Sequence, residues 1–131
     1  MPLATRLFIR FAVGYLLLGL VAGTALALEP ALRTFWPTYL HLITVGWLTQ
    51  LIFGVAFWLF PRASREHKRG RGGYIWASLV LLNVGLVLRI AAEPFDLGMA
   101  DQSALVVSAL FQLGAAACFV ANMWPRLKAR S

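Results

Sequence analysis

Two histidines and one arginine carry most of the ionic chemistry this chain could perform. His41 lies inside an apolar run, about one turn beyond Pro37. Ionisable side chains within apolar runs of membrane length are uncommon, and are functional candidates by default. A neutral imidazole offers a nitrogen lone pair, the standard protein ligand of haem iron. An interfacial histidine bonded to a neighbouring helix is the alternative. His67 sits in the charged stretch Arg65-Glu66-His67-Lys68-Arg69 and reads as a solvated loop residue. Arg89 falls near the end of another apolar run, at a depth similar to His41. It has three uses there: snorkelling to the interface, pairing with Glu93 one turn later, or pairing with an anionic cofactor's carboxylates. Arg33, in the first outer loop, ahead of the run that holds His41, is placed to join it in the last case.

The residues around His41 extend the pattern. At 100° per residue, His41, Val45, Leu48 and Ile52 fall on one stripe, with Thr44 at its edge. Apart from the histidine the stripe is apolar, and a flat macrocycle would pack on it. Trp47 is deep enough to cover such a group or to face lipid. Gly46 and Gly54 permit close approach of another helix. No hydrolase constellation is visible: there is no paired carboxylate within an apolar run, no phosphate-binding glycine loop and no second histidine at metal-ligand spacing.

The elements that must position these residues follow from composition. Of 131 residues, 60% are hydrophobic and 13% charged. A soluble domain carries about 25% charged residues, so lipid must be the solvent over most of this surface. Four runs, roughly residues 7–28, 38–60, 74–92 and 103–124, are each long enough to cross a hydrocarbon core of about 30 Å. Open strands would leave unpaired backbone groups in lipid. The expectation is one all-α domain, residues 1–131: an integral membrane four-helix bundle, antiparallel and up-down-up-down, because the connections are short. Glu29-Pro30, Pro61, Glu93-Pro94 and Pro125 mark the run ends, and Gly70, Gly72 and Gly73 precede the third run. Ala25-Leu26-Ala27 after the first run also fits a secretory cleavage site, but the run is long for a signal.

The net charge of +7 would suit nucleic acid, yet the charges sit in the gaps between apolar runs. That is the pattern of membrane orientation, and no nucleic-acid partner is expected. Arg6, Arg10, Arg62, Arg65, Lys68, Arg69, Arg71, Arg126, Lys128 and Arg130 fall on one side, and only Arg33 and Arg89 on the other. The chain is therefore expected in the inner membrane with both termini cytoplasmic. Trp36, Trp58, Trp76 and Trp124 near the span ends form an aromatic belt. Gln50, Asn83, Ser108, Gln112 and Asn122 within the spans read as inter-helix hydrogen-bonding groups. The single cysteine, Cys118, reads as a small hydrophobe.

The second run, His41-Leu-Ile-Thr-Val-Gly46-Trp47 followed by Ile52-Phe53-Gly54-Val55 and Pro61, resembles helix II of the haem-copper oxidase subunit I superfamily. Asn83-x-Gly85, Arg89 and Trp124-Pro125-Arg126 resemble small four-helix relatives placed with that family. The likeness covers about one third of a twelve-helix subunit I and is concentrated around His41. It implies that His41 is an axial ligand of haem b near the outer face, with Thr44, Val45, Trp47, Leu48, Arg89 and Arg33 as cofactor contacts. The helix X haem ligand and the copper histidines have no counterpart, so the chain is not a complete oxidase by itself. In the family, three four-helix arcs surround a pseudo-threefold axis, and this chain resembles one arc. The resemblance thus implies a homo-oligomer, a trimer before a dimer, that moves electrons or binds oxygen or nitric oxide. The alternative is a cofactor-free accessory or structural membrane subunit.

Overall fold

The computed structural model describes residues 1–60, 68–94 and 99–128, with side chains described over 1–60, 72–94 and 102–128. Among the described residues every extended element is helical. Helix α1 spans Leu3–Leu28. It stops at Glu29, whose backbone is extended, as steric conflict with a following proline ring requires. Glu29 then serves the next element, its carboxylate accepting from Ala31 N at 3.2 Å. That bond caps a 3₁₀ segment, Pro30–Phe35, with proline in its first turn.

Helix α2 follows without a break, in three stretches: α over Trp36–His41, π over Leu42–Thr49 and α again over Gln50–Leu59. Two threonines accompany the widened turns. Thr44 Oγ1 donates to Leu40 O at 2.7 Å, and Thr49 Oγ1 donates five residues back to Thr44 O at 2.8 Å. The buried positions of α2 are Thr38, Leu42, Gly46, Gln50 and Gly54, one every fourth residue. In a pure α-helix each such step would rotate the side chain about 40° off its face. A π turn holds more residues, rotates less per residue and brings the row back onto the same face.

Helix α3 spans Lys68–Ala92 and α4 spans Met99–Lys128. Both exceed the sequence-based bounds. The third helix takes in the glycines expected to precede it, and α4 continues through Pro125 for its last turn. The ring of Pro125 costs α4 one backbone hydrogen bond close to the helix end, where few remain to be lost.

Rising numbers on α1 meet falling numbers on α2. Gly23 lies against Tyr39, Gly46 against Tyr15 and Gly54 against Phe8. Helices α3 and α4 meet in the same opposed sense, with Ser78 Oγ donating to Ala115 O at 2.8 Å and Ser108 Oγ to Gly85 O at 2.6 Å. The two pairs join through a core of Ala4, Phe8, Ile75, Leu79, Leu82 and Ala115, with Val45, Phe53 and Phe119 packed on it. Phe53 and Phe119 stack with centroids 3.9 Å apart. At one end Arg126 donates to Phe57 O at 3.1 Å and lies over the Phe57 ring. Large apolar side chains, among them Leu17, Val21, Val106 and Leu113, cover the outside. Among the described residues, four helices are long and apolar enough to cross a membrane.

Candidate functional site

The start of α2 and the end of α3 converge. His41 stands on the last α turn before the π stretch, four residues after Pro37. Its Nδ1 lies 2.8 Å from Pro37 O. Glu93 sits just past the end of α3, tied by its own N–H to Arg89 O at 2.9 Å. From there its side chain folds back. Oε1 accepts from Arg89 Nε at 2.9 Å and lies 3.2 Å from His41 Nδ1. The Glu93 side chain is only 8% exposed, whereas His41 and Arg89 are each 24% exposed. Glu93 Oε2 is buried and has no partner among the described residues.

This geometry fixes the tautomer by elimination. Pro37 O is purely an acceptor, and the carboxylate beside Arg89 is an acceptor too. An unprotonated Nδ1 would set its lone pair against both. Nδ1 therefore carries the hydrogen, and in the neutral ring the lone pair belongs to Nε2. A histidine held at Nδ1 by a carbonyl or carboxylate, with Nε2 available, is the arrangement found behind metal-ligating imidazoles.

The other expected contacts are dispersed. Val45 turns toward the core, while Leu48 and Ile52 are 46% and 53% exposed and Thr44 is exposed with its hydroxyl committed to Leu40 O. The stripe counted at 100° per residue is thus divided, because the π stretch changes the rotation between its members. Trp47 is half-buried. Of the three uses open to Arg89, pairing with Glu93 is the one the structure contains. Arg33 lines a hollow of about 570 Å³ with Gly23, Leu26, Ala27 and Trp36, a lining that includes neither His41 nor Arg89. His67 and the side chain of Met99 lie outside the described residues. Among the described residues no three of His, Cys, Asp and Glu gather as a metal cluster.

Glu93 is the site residue that sequence reasoning treated only as a partner for Arg89. The signal was present: a carboxylate next to a helix-ending proline, at the same end as His41. Within the interior, Asn83 and Ser108 form the expected bonds across helices. Gln50 is fully buried with neither amide atom partnered among the described residues. No family model matches this chain, and neither the curated proteins nor the solved structures provide a significant match.

Proposed function

We propose that this chain is an integral membrane b-type haem-binding protein, used for electron transfer or for binding a diatomic gas. Its spans run up-down-up-down through the inner membrane with both termini cytoplasmic. The single observation that carries the reading is the state of His41: Nδ1 is engaged by Pro37 O and Glu93, so the neutral ring keeps its lone pair on Nε2. The sequence resemblance around His41 points the same way.

The residues present fit such a group at a surface between copies. His41 is partly exposed, and Thr44 and Leu48 on the same helix are exposed. A haem there needs a second chain to cover it, which favours a homo-oligomer, and the resemblance to one arc of a pseudo-threefold assembly puts the trimer ahead of the dimer. His41 would hold the iron. Arg89 has nitrogens besides Nε that could meet a propionate and Trp47 is half-buried nearby on α2, whereas Val45 packs on the core and Arg33 lines a separate hollow. The group supplies reversible one-electron chemistry and a coordination position for a small gas.

The competing reading is a cofactor-free accessory or structural subunit. It draws on the fact that Glu93 Oε1 already engages both His41 and Arg89. Absorption spectra of the purified protein, oxidised and then reduced, separate the two. A Soret band that shifts on reduction supports haem, and its absence after expression with ample haem supply leaves the cofactor-free subunit.

A further inference from the structure

His41 Nδ1 has one hydrogen and two acceptors, and the two differ in origin. Pro37 O belongs to the same helix, four residues back, so it is present whatever the rest of the bundle does. Glu93 Oε1 comes from the far end of α3 and brings a negative charge. A buried carboxylate is costly unless paired and hydrogen-bonded. Here Arg89 Nε meets Oε1 at 2.9 Å, while Oε2 goes without a partner among the described residues. The carboxylate is held against the imidazole even though half of its bonding capacity is unmet. A peripheral ion pair between Arg89 and Glu93 alone would leave the side chain free to turn toward solvent.

We infer that Glu93 is a positioning residue for His41: across the α2–α3 contact it holds the imidazole in the Nδ1–H tautomer and leaves the lone pair on Nε2. The carbonyl sets the ring's direction, and the carboxylate biases the proton. Negative charge on the Nδ1 side favours N–H at that nitrogen and strengthens the lone pair at Nε2. Any consequence for iron rests on the haem reading above, but the tautomer of the free protein does not.

The test uses the full chain in mild detergent, carrying ¹⁵N-labelled histidine in a His67→Ala background, so that His41 alone reports. Spectra are recorded across a pH series and read on the alkaline plateau, where the nitrogen shifts no longer change. Nitrogen shifts then distinguish an N–H nitrogen from one bearing a lone pair. The expected spectrum has N–H at Nδ1 and a lone pair at Nε2. Glu93→Ala is expected to move population toward the Nε2–H form, and Glu93→Gln, which retains an acceptor oxygen, is expected to fall between the two. Haemin titration of the same proteins should show affinity lowered about 10–100-fold in Glu93→Ala. A Glu93→Ala spectrum superimposable on the parent's would overturn the assignment, since Pro37 O alone would then set the tautomer. Should Glu93→Ala fail to fold, a Glu93→Gln spectrum identical to the parent's overturns it equally. A parent protein that binds no haemin removes the haem reading, while the nitrogen shifts still decide the role of Glu93.

Discussion

Tyr15 of α1 donates its hydroxyl hydrogen to Asn83 Oδ1 of α3 at 3.0 Å, and Asn83 Nδ2 in turn donates to Leu79 O at 2.7 Å. The amide is thereby oriented by its own helix and presents its oxygen to the other pair of helices. Tyr15→Phe should remove this link and little else. Inter-helix hydrogen bonds in membrane bundles contribute about 0.6 kcal/mol on average and at most about 1.7. Reversible unfolding in mixed micelles should show a loss in that range, and no loss would mean the bond is replaced by another partner.

Two glycines make opposite predictions. A Cβ on Gly85 would lie 3.0 Å from both Phe111 Cβ and the backbone oxygen of Ser108, on the α4 side of the α3–α4 contact. Gly85→Ala should therefore destabilise, by about 1–3 kcal/mol as overpacked sites do. A Cβ on Gly14 meets nothing within 4 Å. Gly14→Ala should stabilise α1 by about 0.5–1 kcal/mol through lower backbone entropy in the unfolded chain. The same micelle unfolding assay ranks the two, and the order of stability is the result to check.

Orientation is testable by single-cysteine labelling in a Cys118→Ala background. Ser64→Cys and Asp96→Cys place thiols in two connections that lie outside the described residues. Basic segments resist translocation, so Asp96→Cys should react with an impermeant reagent in intact cells. Ser64→Cys should react only after permeabilisation. The reverse pattern would invert the topology.

His41→Ala should abolish haem binding while the protein still inserts, because a methyl group has no lone pair for iron and makes the span slightly more apolar. Arg89→Ala should lower haem content less, since it withdraws a partner from Glu93 without touching Nε2. His67→Ala should change neither. Haem-to-protein ratios of the three variants give the ranking. Full haem content in His41→Ala would shift the balance to the cofactor-free subunit.

If His41 binds haem, its partial exposure calls for a covering copy of the chain. A six-coordinate haem with two imidazole ligands requires a second copy, because His67 is expected across the membrane from His41. Mass measured in mild detergent should correspond to a trimer, with a dimer as the nearest competitor. A monomer carrying six-coordinate haem would require another ligand, for which Met99 is the first residue to replace.

The sequence by itself determined the four helices, because membrane-length apolar runs bounded by Glu29-Pro30 and Glu93-Pro94 leave the backbone few other ways to satisfy its hydrogen bonds. It also singled out His41, since an ionisable group in such a run is conspicuous in any context. Three features depended on contacts between distant residues and could be decided only by the tertiary structure. The π stretch Leu42–Thr49 keeps Thr38, Leu42, Gly46, Gln50 and Gly54 on one buried face, and an assumed rotation of 100° per residue mispositions Val45, Leu48 and Ile52. The continuation of α4 through Pro125 accompanies packing of its last turn, where Arg126 reaches Phe57 O. Glu93 joins His41 across 52 positions of sequence because α2 begins where α3 ends. Local periodicity holds no record of such a meeting, since it depends on how two helices from different pairs are set against each other.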